Sequence, residues 1–309
     1  VIRRLAVVAL LGSALIGALA PAPAFAASMG KAVPSSATSG TTGADVSWPQ
    51  CGHRLPSRQA FGIVGVNDGT AASFSPCVAS EAAWAASTTG SAGQPKVAFY
   101  VNTANPFGAG SWWPTSDSSR PAVGAAPYPT GALPVSTVTY SDGSAVGCTS
   151  TAPGVGAYDG RCAYVYGYVR AEQAVEWAKE QIGASFSPAG YRWWLDVETS
   201  NTWQKDTSAN AASLAGAAAY LQHAGLGVGV YSTTAQWTTI VGGTNATIPA
   251  LPNGSPSNLI GLDEWGAGAP SLAGAQSNCT SATPFTGGAN RLMQYVSGST
   301  DYDVSCGSS

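Results

Sequence analysis

The chain has 309 residues, with 13 Lys and Arg against 16 Asp and Glu, a formal net charge of −3, 45% hydrophobic and 9% charged residues, and 38 Gly, 20 Pro and 10 Trp. So few cations supply neither the basic stripe that displaces counterions from phosphates nor a polybasic patch for a lipid surface, which excludes nucleic acid and membrane docking as partners. Low charge with many aromatics also excludes a disordered chain.

In chain order, Arg3 and Arg4 form a positive start, Leu5 to Leu19 an apolar stretch and Ala24-Phe25-Ala26 a small-residue cleavage site, so residues 1–26 are expected to be a secretory signal peptide. Residues 27–42 are a small polar tract without periodicity and are expected to be a flexible spacer, leaving 43–309 as one domain. No later apolar run is long enough to span a bilayer. The expected product is a secreted, extracellular or cell-wall associated monomer without stable membrane insertion.

The six cysteines are an even set, which in an oxidising compartment means three disulfides. Short separations favour Cys51–Cys77, Cys148–Cys162 and Cys279–Cys306 among the fifteen possible connectivities. No C-x-x-C occurs and His53 and His223 are isolated, so no metal site is expected. Nor does any glycine-rich phosphate cradle appear, so no cofactor is expected.

Eight short apolar runs follow: 44–47, 61–67, 97–102, 191–198, 227–232, 259–265, 292–296 and 302–305. Most are hydrophobic almost throughout, as in parallel strands buried on both faces. Helical composition fills 81–87, 171–182, 209–223 and 235–241, while the intervals beyond Trp265 read as loops. About five β-then-α units followed by strands with little helix predict an α/β fold, a modified TIM-type (β/α) barrel, with a β-sandwich as the alternative. A long Pro/Gly/Ser-rich segment at about 103–168 follows the third strand and would overhang the barrel mouth.

The sharpest local feature is Trp193-Trp194-Leu195-Asp196-Val197-Glu198. Carboxylates at i and i+2 of a strand share a face about 7 Å apart, at the C-terminal end where barrels place their chemistry. Such a pair suits glycosidic cleavage, which needs one carboxyl protonated to donate to the leaving oxygen and another group ionised beside the oxocarbenium-like centre. An arbitrary D-x-E more often caps a helix or meets an arginine. Here Asp45, Asp68, Asp263, Glu264, Asp301 and Asp303 also stand at or near the ends of predicted strands, so half of the 16 acids gather there. Arg192 and Arg291 are near enough in sequence to pair with some of them. Aromatics that could stack on sugar rings include Tyr100, Trp112, Trp113, Tyr231, Trp265 and Tyr295. Without G-x-S-x-G or a histidine near an activated serine, a nucleophilic triad is not expected.

Asp45-Val-Ser-Trp-Pro-Gln50, Phe61 to Gly69, Phe99-Tyr100, Trp194 to Glu198, Gly229 to Ser232, Trp265 with Ala267 and Pro270, Gln294-Tyr295 and Asp303 together resemble, in order, the signature blocks of glycoside hydrolase family 25. The resemblance implies a (β/α)5(β)3 barrel and a secreted muramidase acting on the β-1,4 bonds of peptidoglycan or a related N-acetylated glycan. It further implies Glu198 as the catalytic acid, Asp196 as its partner, and Asp45 and Asp303 as the acids of the first and last strands. Asp68, Tyr100, Trp112, Trp113, Tyr231, Trp265, Gln294 and Tyr295 are then the expected substrate-binding residues. The chain departs from the family pattern at Cys51 to Arg54, at Gly65 where a Lys is usual, at Asp68 where a Glu is usual, and at Val101-Asn102. A glycan-binding barrel without activity and an extracellular structural or interaction protein are the alternatives.

Overall fold

The computed structural model describes residues 42–90, 94–106, 137–140, 142–148 and 159–307, all within a compact unit running from Ala37 to Ser309. The signal-peptide segment 1–26, the spacer up to residue 41 and the Trp112-Trp113 pair lie outside the described residues.

Eight strands close a barrel: β1 (Thr42–Val46), β2 (Gly62–Gly65), β3 (Val97–Asn102), β6 (Arg192–Asp196), β7 (Gly227–Ser232), β8 (Asp263–Ala269), β9 (Asn290–Ser297) and β10 (Thr300–Ser305). The order around it is β1-β10-β9-β8-β7-β6-β3-β2. Every neighbouring pair is parallel except those made by β10, which runs antiparallel to both β9 and β1. A small hairpin, β4 (Thr137–Thr139) with β5 (Ala145–Gly147), lies in the long segment after β3.

Helices α1 (Val78–Ala86), α2 (Gly160–Ile182), α3 (Thr207–His223), α4 (Thr234–Val241) and α5 (Leu272–Ser281) complete the described elements. This is the mixed α/β barrel that the strand pattern predicts, with three differences. First, α2 starts within the segment read as loop: Asp159 caps it by accepting from the Arg161 N–H at 2.8 Å, and Cys162, Tyr164 and Tyr166 are buried. Its first turns are apolar or small at most positions, which hides the helical period. Second, α5 occupies an interval read as loop; its small polar residues give little helical signal, and its end is tied to β10 by Cys279–Cys306.

Third, the sixth barrel strand begins at Asp263 instead of ending near it, because Leu259 to Leu262 form a turn with Gly261 at φ +81. Asp263 and Glu264 therefore sit at the entry end of β8, opposite the mouth. Arg192 and Arg291 pair with Asp263 at 2.6 and 3.0 Å, and Glu264 accepts from the N–H and Oγ1 of Thr286 at 2.5 and 2.6 Å.

The three disulfides join Cys51 to Cys77, Cys148 to Cys162 and Cys279 to Cys306. Among the described residues no helix is long and apolar enough to cross a membrane.

Strand alternation separates two cores. From β6, Trp194 points into the barrel with Phe61, Ile63, Ala98 and Leu292, while Trp193 and Leu195 join the outer core beneath the helices. Helices α2 and α3 approach closely because each offers a glycine: a Cβ on Gly216 would stand 1.9 Å from the Tyr164 carbonyl oxygen, and one on Gly167 1.8 Å from that of Ser213. Alanine normally favours a helix interior over glycine. Here Gly216→Ala is expected to destabilise by about 2 kcal/mol through forced separation of the helices, and urea denaturation showing equal or greater stability would contradict this packing.

Candidate active site

At the C-terminal ends of the parallel strands the barrel opens into a cavity of about 340 Å³, lined by Asp45, Tyr100, Asp196, Glu198, Tyr231, Trp265, Gln294 and Asp301. The inward series on β6 runs Arg192, Trp194, Asp196 and, just past the strand, Glu198. The period of two thus carries one face from a cation at the closed end to two acids at the mouth. Glycines make room for the aromatics between: a Cβ on Gly229 would fall 2.3 Å from the Trp194 ring, and one on Gly65 2.6 Å from the Tyr100 hydroxyl. Tyr100 thus fills the space at Gly65, the position where the family pattern carries a lysine.

The acids are held by neutral groups. Gln294 Nε2 donates to Asp45 Oδ2 at 2.9 Å, and Tyr231 donates to Gln294 Oε1 at 2.8 Å. Trp265 Nε1 donates to Asp303 Oδ1 at 2.8 Å. Asn102 Nδ2 donates to Asp196 Oδ2. Glu198 has Ser200 Oγ at 3.5 Å, and Trp203 Nε1 donates to its main-chain carbonyl at 2.7 Å. No Lys, Arg or His is among the described residues lining the cavity, and the described ion pairs involve none of its acids.

Burial without a counter-cation raises these carboxyls. Desolvation, then the charge of Asp301, push Asp45 up to about 7 against the lowering effect of its hydrogen bond with Gln294. Asp196 is held well above the carboxylate range by burial and then by Glu198. Asp303, fully buried, is held well above the carboxylate range by burial and then by the charge of Asp45. Glu198 is raised by burial and by Asp301, and Asp301 itself by burial.

Of the residues singled out in the sequence, Asp45, Asp196, Glu198, Tyr100, Tyr231, Trp265 and Gln294 meet at this cavity. Three do not. Asp303 lies beneath it, and Asp301, the direct cross-strand neighbour of Asp45, takes the place at the wall. Because β10 is antiparallel, its earlier residues are nearest the mouth, so the direction of that strand was the signal that distinguishes the two acids. Tyr295 points outward, packed with Met293, Val304 and Ala275 and stacked on Tyr302 at 5.6 Å. Asp68 sits in the turn after β2, where its carbonyl accepts from Ser73 Oγ at 2.7 Å, and it is not part of the cavity wall.

Fold and mouth together describe an α/β barrel with acids gathered among aromatic and amide side chains at the C-terminal ends of its parallel strands. Residues 168–251, which hold Asp196, Glu198 and Tyr231, match the family model described as Lysozyme-like protein 1. The chain is also 46% identical over 50 residues to "Probable GH family 25 lysozyme 4" of Dictyostelium discoideum, a match covering 16% of this chain and 23% of that protein. The chain thus spans about a quarter of the length of the curated relative. No solved structure matches it. The two matches support a divergent chain of the glycoside hydrolase family 25 type.

The raised carboxyls link the site to stability. The folded protein keeps protons that the unfolded chain releases, so this contribution is full below the unfolded value of 3.8 and is lost as pH rises through about 7 for Asp45. The melting temperature should fall from pH 5 to pH 8. Asp45→Asn should flatten that fall and exceed wild type at pH 8, by on the order of 2–4 kcal/mol. Calorimetry across this range giving a rising melting temperature, or a less stable variant at pH 8, would overturn the assignment.

Proposed function

We propose that the chain is a secreted glycoside hydrolase that cleaves β-1,4 bonds of peptidoglycan or a related N-acetylated glycan by carboxylate catalysis. The observation that carries this reading is Glu198: a carboxyl raised by burial and unopposed by any described cation, at the rim of a cavity with aromatic and amide walls. The cavity lies within the roughly 300–1,000 Å³ range of small-ligand sites.

In this reading Glu198 passes its proton to the glycosidic oxygen as the bond to the anomeric carbon breaks. A water adds to that carbon, and the proton it releases returns to the Glu198 carboxylate. Asp301, which faces Asp45 across β10 and β1 and lines the cavity, supplies the negative charge that stabilises the oxocarbenium-like centre, a role expected of Asp303 from the resemblance. Asp196 presents Oδ1, which has no hydrogen-bond partner among the described residues, to the substrate's amide N–H or to water. Tyr100, Tyr231 and Trp265 are the aromatic surfaces for sugar rings, and Trp112-Trp113 of the long insertion are proposed to extend them.

Secretion belongs to the same proposal. The basic start, apolar stretch and small-residue motif of residues 1–26 support it, and three disulfides fit an oxidising compartment.

The test is purified, oxidised protein on labelled peptidoglycan beside Glu198→Gln. Wild type is expected to release reducing ends, and the variant to do so about 10²–10⁴-fold more slowly while still binding the glycan. Binding by both proteins with cleavage by neither would instead establish a carbohydrate-binding barrel.

A further inference from the structure

Asp196 leaves β6 with its two carboxyl oxygens in different situations. Oδ2 accepts from Asn102 Nδ2, whereas Oδ1 is buried without a hydrogen-bond partner, on a residue that lines the cavity. Asn102 is itself held in place. Its backbone N–H donates to Asn67 Oδ1 at 2.9 Å, and Asn67 Nδ2 donates to the Ser73 carbonyl at 2.9 Å. With a donor against its oxygen and an acceptor against its nitrogen, the Asn67 amide has one orientation, and it ties the turn after β2 to the end of β3. The Asp196 main chain is fixed as well: its carbonyl accepts from Thr103 Oγ1 at 2.5 Å and from Asn201 Nδ2 at 3.3 Å.

The charged groups that act on Asp196, Glu198 beyond it and Asp45 from β1, both oppose its ionisation, while Tyr100 from β3 and Tyr231 from β7 are held as neutral phenols. Two neutral amides favour the charged form, that of Asn201, which reaches the main-chain carbonyl, and that of Asn102, which donates to Oδ2. An amide nitrogen donates at every pH and neither takes up nor releases a proton in this range.

We propose that Asn102 is a positioning residue that makes Oδ1 the working atom of Asp196. With Oδ2 committed to accepting from the amide, a proton on Asp196 resides on Oδ1. Losing it turns the same atom, without movement, from a donor into an acceptor toward bound glycan. The last clause rests on the hydrolase reading; the effect of Asn102 on the protonation of Asp196 does not.

Two variants test this: Asn102→Ala, and Asn102→Leu, which keeps the side-chain shape and removes the donor. Both are checked for folding by circular dichroism. The first readout is the carboxyl ¹³C titration of Asp196 in the free protein, assigned with Asp196→Asn. The second is the pH profile of glycan cleavage.

The Asp196 midpoint is expected to rise by about one pH unit in either variant, and the acidic limb of kcat/KM to move with it while KM changes little. If alanine prevents folding, the leucine variant carries the test. An unchanged or lowered midpoint overturns the proposal, even if activity falls. If neither wild type nor variants cleave glycan but the midpoint still rises, the role of Asn102 stands and the hydrolase reading fails.

Discussion

The mouth of this barrel rests on buried carboxyls that keep their protons because no described cation balances them. Burial raises Asp45 and Asp303, and the charges of their acidic neighbours raise them further, so these carboxyls cannot all ionise at tolerable cost. The arrangement is fixed from four other strands by uncharged partners: Trp265 of β8 on Asp303, Gln294 of β9 on Asp45, Tyr231 of β7 on Gln294, and Tyr100 of β3 packed beside Gly65 of β2. Neutral donors orient a carboxyl without neutralising it. That leaves the protons, not salt bridges, to balance the charge, a condition in which one acid can give up a proton while its neighbours stay ionised.

The same barrel is polarised along its axis. At the closed end Arg192 and Arg291 grip Asp263, and the Arg192 guanidinium lies 5.4 Å from the Trp194 ring centroid. Arg192, Trp194 and Asp196 along β6, with Glu198 just past it, span the distance from this neutralised end to the acidic mouth. The apolar floor of Trp194, Phe61 and Ile63 separates the two, so the arginines do not quench the acids they would otherwise attract.

Much of the fold was legible because burial on both faces writes near-continuous apolar runs, and because D-x-E at a strand end has one geometric meaning. The Asp196 and Glu198 pairing follows from alternation, whereas Tyr231, Gln294 and Trp265 were expected at the site through the family resemblance. The direction of the last strand does not, since an antiparallel β10 and a parallel one share the same residue pattern; hence Asp301, not Asp303, faces the cavity. Tyr295 was misplaced for a related reason: its neighbour Gln294 takes the inward position, and alternation then sends Tyr295 to α5. Helix α2 was hidden because burial around most of its first turns, with Gly167 closing on α3, erases the amphipathic period. Asn102 carries no motif, and its contact with Asp196 emerges only once β3 and β6 are adjacent and in register.

Infrared spectroscopy of the folded protein in heavy water near neutral pH tests the central claim most directly, because a protonated carboxyl has its own C=O stretch. The account requires such a band in wild type, weakened by Asp303→Asn and by Asp196→Asn. A spectrum showing every carboxyl ionised at that pH, in wild type as in the variants, would contradict it.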